Sequence, residues 1–552
     1  MKMWGITLGI LAAGGLSLAL AAGCATAPAF GGGFKVADCY GCHDTIEKLH
    51  AKGKHAGVLC DACHTGLDKH LADEKARPAT RFDWQACGVC HKAQFESFLE
   101  TAYHRPARDE KSQLTNRSPN PFWDKLMMGH GFTKEHNLTR SHVWMVVDQF
   151  VVDRAFGGRF QPKKGWEYVA EKGGKTTWEY LVDTHPENNE HKPWLAQTAA
   201  AANPTCMQCK TQDNILTWPY LGDPAAKGAT FTRASNVVDV ARTVNYALNC
   251  FICHDPHAAR PRIVRDGLIQ ALTRPEADTL WHKDPNRTRI EVVDMGMRGF
   301  PRKIALLEKY DSRLLCGQCH VEYNCNPGTD VKTGQPVKFD DPRTNHFPFK
   351  DALGLYDHYV NQIGFLDFKH PLTGGLLWKA QHPEAETFYN SVHARAGASC
   401  TDCHMAKRKG ADGRTYTSHF VVSPRYQLKE TCLRCHANLT EETAAYTIDS
   451  VKAYTRGRLR KAEFWLSALI DKIVEGKKAK LPDDVIKQAQ DQHLRAHVLW
   501  EYWTAENSDG YHNPELARDS LTKSIDESQK GIKLVNDALA PPPPPAAPAP
   551  AK

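Results

Sequence analysis

Eight cysteine pairs set out the chemistry of this chain of 552 residues. Seven have the spacing C-x-x-C-H: Cys39, Cys42 and His43; Cys60, Cys63 and His64; Cys87, Cys90 and His91; Cys250, Cys253 and His254; Cys316, Cys319 and His320; Cys400, Cys403 and His404; Cys432, Cys435 and His436. The eighth, Cys206-Met207-Gln208-Cys209-Lys210, ends in lysine. In C-x-x-C-H the two thiols form thioethers to a porphyrin, and the histidine is the proximal ligand of its iron. One match is compatible with chance, or with a zinc or redox pair. Seven, with a lysine variant among them, predict eight covalently bound c-type haems, one unlike the rest.

The lysine changes what its haem can do. Imidazoles on both faces fill the iron's coordination sphere, which suits electron transfer and shuts out substrate. A lysine amine is a pure σ-donor and ligates only as the neutral amine, so coordination must displace its proton; a buried lysine tolerates that. Against harmless drift at one haem among eight, the favoured reading is that the haem on Lys210 keeps an open distal face.

Of 18 cysteines, only Cys24 and Cys325 lie outside the motifs, and 27 histidines supply distal ligands amply. The candidates are His55, His70, His104, His142, His393, His419 and His512, with His50 a further one in the first group. Each could equally be a solvated loop histidine. The formal charge of +7 is offset by up to about 16 haem propionates, so nothing points to a nucleic-acid partner.

Positioning these groups calls for a mainly α fold with little β structure, haems filling much of the core. Residues 1–23, with Lys2 followed by an apolar stretch, read as a secretory signal. Leu20-Ala21-Ala22-Gly23-Cys24 is similar to a lipoprotein cleavage site, so any membrane contact would come through a lipid on Cys24. Residues 24–200 form a three-haem region plus a connecting segment, in which Arg140–Phe156 has a helical apolar face and precedes Gly157-Gly158-Arg159. Residues 201–440 hold five motifs. Residues 441–540 are helical: Leu459, Ala462, Leu466, Leu469, Ile470 and Ile473 keep one face, Leu494, Val498, Leu499 and Tyr502 another. Asn513-Pro514-Glu515 opens the last helix. These helices suit a scaffold or a homo-oligomer interface. Residues 541–552 are a proline-rich tail.

In the order of its motifs, lysine first and then His254, His320, His404 and His436, the chain resembles the pentahaem cytochrome c nitrite reductases. The three extra N-terminal motifs make it resemble their octahaem branch more closely. The stretches C-G-Q-C-H-V-E-Y at 316–323, K-A-Q-H at 379–382 and H-N-P at 512–514 carry the resemblance. It implies an extracytoplasmic, periplasmic enzyme that reduces nitrite or another small nitrogen oxyanion, with electrons from a quinol-linked or cytochrome donor. Tyr323 and His382 would line the open face beside an upstream arginine, Arg154 or, as second choice, Arg159. Calcium would be held by the side chains of Glu322 and Gln381 and the carbonyls of Tyr323 and Lys379, oxygen donors suited to it. Tyr323 and Cys325 would be candidates for a thioether crosslink.

Other readings predict other features. Hydroxylamine oxidoreductases share the octahaem layout but use a histidine-ligated haem crosslinked to a C-terminal tyrosine; Tyr502 lies in about the right region, and Lys210 argues against it. Octahaem tetrathionate and sulfite reductases are a second enzymatic alternative. A non-catalytic electron conduit would have eight six-coordinate irons and would leave Lys210 unexplained.

Overall fold

The computed structural model describes residues 35–81, 85–100, 122–130, 141–145, 203–221, 230–235, 237, 240, 243–244, 246–296, 300 and 302–540. Arg154, Arg159, His104, the signal segment with Cys24, and the proline-rich tail lie outside them. Of the Arg140–Phe156 stretch, 141–145 are described, and they hold a 3-10 turn at His142–Trp144. The chain divides into two compact units, one comprising Met1–Glu96 with Pro256–Ala259 and the other Ser97–Asp255 with Arg260–Lys552. The division after Glu96 falls inside the expected 24–200 region.

The first unit is built from short helices that carry its motifs, among them Val36–Tyr40, Asp44–His50 and Leu67–Ala72. A two-stranded antiparallel pair, His64–Thr65 with Ala79–Thr80, fixes the loop after the second motif. Pro256–Ala259 packs here at Gly53, where a Cβ would come within 2.7 Å of the His257 carbonyl oxygen. Only glycine permits that approach.

In the second unit the expected C-terminal helices form over the predicted stretches: α1 (Glu441–Lys478), α2 (Asp483–Ala505) and α3 (Pro514–Leu539). Their apolar faces meet in a core of Leu466, Ile470, Leu494, Val498, Trp500, Tyr502, Leu521 and Ile525. Asn513 caps α3 by accepting from Leu516 N, with Pro514 at the first helical position. About half of the structure is helical and its sheets are small, a mainly α fold. Among the described residues no helix is long and apolar enough to cross a membrane.

One three-stranded antiparallel sheet matters for the site. It consists of β1 (Arg262–Ile263), β2 (Ile290–Asp294) and β3 (Lys303–Leu307), with β3 central. Residues Ile304–Leu307 are buried, and the chain leaves β3 for the helix Ser312–Cys316 that presents the sixth motif. Just beyond β1, Val264 N donates to Gln318 Oε1 at 2.7 Å, and Gln318 Nε2 donates to Ile252 O at 3.1 Å. The residue between the two cysteines of the sixth motif therefore ties that motif to the fifth.

Candidate active site

The seven proximal histidines each face one other imidazole. Ring centres are 6.0 Å apart for His43 and His70, 6.2 Å for His91 and His55, and 6.3 Å for His64 and His257. In the larger unit they are 6.3 Å for His254 and His419, 6.4 Å for His320 and His142, 6.1 Å for His404 and His512, and 6.3 Å for His436 and His393. A metal–imidazole bond is about 2.0–2.1 Å, so an iron gripped between two imidazoles sets their ring centres roughly 6.3 Å apart. All seven pairs have that spacing. Seven of these rings hydrogen-bond to protein through Nδ1: His55 to Pro256 O, His64 to Thr80 Oγ1, His70 to Ala76 O, His320 to Glu384, His404 to Val422 O, His419 to Thr417 O and His512 to Glu506. Nδ1 turned outward leaves the Nε2 lone pair for a metal and fixes the ring's orientation. Burial pushes His142 and His404 down to about 4, which keeps them neutral as ligation requires.

Six of the expected distal histidines thus take part, namely His55, His70, His142, His393, His419 and His512. His257 was missed. It stands three residues past His254 and pairs instead with His64, so the seven pairs are complete without His104. The signal was a second histidine just after a motif's own, in His254-Asp255-Pro256-His257.

The lysine motif, fourth in chain order, is built differently. Pro204–Cys209 forms a buried 3-10 turn capped by Asn203, whose side chain accepts from Thr205 N. Asn203 Nδ2 also donates to Cys325 O at 2.7 Å, which sets the lysine motif against Tyr323-Asn324-Cys325. The thiols of Cys209 and Cys319 lie within hydrogen-bonding reach of one another, and so do those of Cys316 and Cys400. The fourth, sixth and seventh attachment sites therefore adjoin in series.

Tyr323 is buried (4% exposed) and stacks on Phe347, ring centres 5.4 Å apart. Burial raises its pKa well above the ordinary phenol value, so it keeps its proton. The Arg265 guanidinium lies 5.6 Å from the centre of the Tyr323 ring and 5.3 Å from that of Phe347. It is buried, and its three nitrogens have no hydrogen-bond partner among the described residues. A buried guanidinium without a partner, beside haem-attachment cysteines, is what a haem propionate or a substrate anion would satisfy. Upstream searching for an arginine could not find Arg265, which follows β1.

Glu322 joins the two family-like stretches. Its Oε2 accepts from Gln381 N at 2.7 Å and its Oε1 from Tyr359 OH at 3.4 Å, while Glu322 N donates to Glu386 Oε1. This clamp places Tyr323 and His382, each one residue beyond, on neighbouring segments. Burial pushes the pKa of Glu322, Glu386 and Asp367 up, and Glu386 and Asp367 add to the rise at Glu322; Asp367 is pushed up to about 7. Glu386 Oε2 and Asp367 Oδ1 have no partner among the described residues. The cation acting on Asp367 is Lys379. Such a surplus of buried negative charge fits a bound divalent cation, and Gln381 and the two backbone carbonyls add the neutral oxygens calcium takes. Among the described residues no three His, Cys, Asp or Glu side chains converge as a metal cage. The expected set contains one carboxylate and does not need one.

Cys325 is fully buried, its thiol pushed up to about 12 by burial, with Gln381 Nε2 at 3.4 Å and Lys379 Nζ at 3.9 Å. Tyr502 is tied by its hydroxyl to Thr387 Oγ1 and Pro383 O. Glu384 braces the back of His320 at 3.2 Å. Burial opposes its charge, but His320 and its neighbours outweigh that and hold Glu384 down to about 2.

The cytochrome c nitrite reductase subunit NrfA of Nitratidesulfovibrio vulgaris is 27% identical over 499 residues, covering 85% of this chain and 80% of that protein. The structure of cytochrome c nitrite reductase from Desulfovibrio desulfuricans, whose catalytic subunit has two calcium sites, aligns with a TM-score of 0.55 at 22% identity, over 83% of this chain and 86% of that one. The family model for cytochrome c552 matches residues 163–543, and on that match, which takes in the lysine motif, the four after it and the long helices, the chain belongs to the cytochrome c552 family and carries covalent c-type haems.

Proposed function

We propose that this chain is an eight-haem periplasmic enzyme that reduces nitrite to ammonium at the haem held by Cys206, Cys209 and Lys210. The observation that carries the reading is the contrast among the motifs. Seven belong to imidazole pairs spaced to close an iron on both faces, and the motif outside that pattern is the one ending in lysine, set against Tyr323. The overall change is NO2− + 6 e− + 8 H+ → NH4+ + 2 H2O. When bound, that haem supplies an open coordination position and the electrons, delivered from a cytochrome or quinol-linked donor.

The chain's own residues supply the rest. Lys210 ligates as the neutral amine. Tyr323, kept protonated by burial, and His382 donate hydrogen bonds and protons to the oxygens being lost. Arg154 adds a positive field for an entering anion, and Arg265 supports the same charge from behind Tyr323. Glu322, Gln381 and the carbonyls of Tyr323 and Lys379 would hold a calcium ion, and Glu322 already ties the two donor segments together through Gln381 N. Exposed Tyr446, Tyr454 and Phe464 on α1 support a homo-oligomer.

The test is steady-state nitrite reduction with reduced viologen and ammonium as the measured product. Lys210→His is expected to lower the rate by more than ~10-fold, a scale that changes at outer-sphere partners already reach. An unaltered rate removes the catalytic assignment. Eight low-spin, six-coordinate irons in the wild-type spectrum would leave an electron conduit instead.

A further inference from the structure

We propose that Thr373, His493, His497 and Glu501 form a buried relay that carries protons inward from the turn Lys369–Gly375 to the carboxylate held against the Lys379–His382 segment. The inference rests on the nitrite-reduction reading, which demands eight protons per turnover at a buried site.

His493, His497 and Glu501 recur every four residues along α2 and so share one face. Their exposures are 0%, 0% and 2%. At the outer end lies the turn Lys369–Gly375, with Lys369 and Leu372 exposed. Within it Thr373 Oγ1 lies 3.4 Å from His493 Nδ1, while His370, whose ring centre is 5.2 Å from that of His493, braces the turn by donating from Nε2 to Lys125 O and accepting from Thr373 N at Nδ1. Gln490 and the exposed Lys477 hold the turn by donating to Thr373 O. Inward, the His493 and His497 rings are 6.0 Å apart. His493 Nε2 and His497 Nδ1 are both buried without a hydrogen-bond partner among the described residues. Each such nitrogen costs about 1–3 kcal/mol if left alone, and one water between the rings would satisfy both. His497 Nε2 then reaches Glu501 Oε2 at 2.5 Å. The other Glu501 oxygen accepts from His130 Nε2 at 2.7 Å and from Ala380 N at 2.9 Å, inside the K-A-Q-H segment.

The types suit the task. A neutral imidazole offers one N–H and one lone pair, so it takes a proton on one nitrogen and releases another from the far side. Burial disfavours charge on His370, His493 and His130. The groups facing them are Lys125 and His497 at His370, His370 and His497 at His493, and Glu501, Lys379 and His497 at His130. A core built for stability alone would fill this face of α2 with aliphatic side chains, which leave no orphaned nitrogen.

The test uses the haem-loaded enzyme with His493→Phe, which breaks the chain at its middle, and Thr373→Val, which removes the hydroxyl at its outer end should the first variant fail to fold. Both should retain the wild-type haem spectrum, KM for nitrite and rate of haem reduction by viologen. Ammonium turnover should fall at least ~10-fold, with a larger solvent deuterium isotope effect and partial rescue by added imidazole. Folded variants with wild-type turnover and isotope effect overturn the relay alone. A wild-type enzyme that makes no ammonium overturns the reduction reading and the relay with it.

Discussion

Replacing Glu501 by glutamine keeps the side chain's shape and one acceptor while removing its charge. Glu501 accepts three buried hydrogen bonds, from His130, His497 and Ala380 N. Burial works against its charge, but the two histidines together outweigh it and hold the carboxyl down to about 2, against 4.5 for an ordinary glutamate. That depression is equivalent to roughly 3 kcal/mol of folding stability at neutral pH. The native carboxyl binds a proton less readily than the unfolded one, so this contribution is complete above about pH 4.5 and disappears as pH falls toward about 2. Glu501→Gln should therefore unfold about 3 kcal/mol more easily than the parent at neutral pH, and the two proteins should converge through the acid range. Denaturant unfolding followed by far-ultraviolet circular dichroism at a series of pH values measures the gap. A gap that stays constant down to about pH 2, or no gap at neutral pH, refutes the reasoning.

Three further outcomes are expected. A Cβ at Gly267 would lie 2.2 Å from Phe347 Cε2, so Gly267→Ala must displace the ring that stacks on Tyr323. It should cost about 1–3 kcal/mol and lower nitrite turnover, and a variant unchanged in melting and rate contradicts the packing described. His257→Ala should turn one low-spin haem high-spin in the electron paramagnetic resonance spectrum while turnover at Lys210 persists with a donor that reaches the other haems; an unaltered spectrum would mean that His257 ligates nothing. Stripping divalent ions with a chelator should lower both melting temperature and turnover, with recovery on adding calcium, whereas magnesium, which demands tighter octahedral geometry, should restore neither.

What the sequence made legible was local. Two cysteines and the next residue fix a haem and its proximal ligand within five positions, so all eight motifs and the odd lysine could be read directly. Helical periodicity over dozens of residues gave α1, α2 and α3 in the same way, and the Asn513-Pro514 start was correct to the residue. What could not be read was fixed by packing between distant segments. His257 faces His64 of the second motif although it follows the fifth, because Gly53 admits its carbonyl. Arg265 reaches Tyr323 because β1 ends beside Gln318 of the sixth motif. In the sheet around β3, β1 is two residues long, β3 is buried over four consecutive residues and β2 is largely exposed, so none of the three alternates cleanly. Asp367 and Glu386 look like ordinary surface acids in the sequence, and only the fold shows that each buries a carboxylate oxygen without a partner among the described residues.

The histidines divide into two chemical classes that one residue type serves by opposite wiring. Seven of those in the facing pairs give up Nδ1 to a carbonyl, hydroxyl or carboxylate and keep Nε2 for a metal; such a ring is locked in one tautomer and cannot pass a proton along. His493 and His497 are wired the other way, each with one nitrogen held by a neighbour and the other buried without a hydrogen-bond partner among the described residues. That is the arrangement a travelling proton requires. Reduction of a small oxyanion needs electrons and protons in step, and a low-dielectric interior penalises either charge arriving alone. Imidazoles locked at the irons and imidazoles left unlocked along α2 would bring both to the Lys379–His382 segment by separate routes. A variant that cuts one route should therefore leave the other's rate measurable and intact.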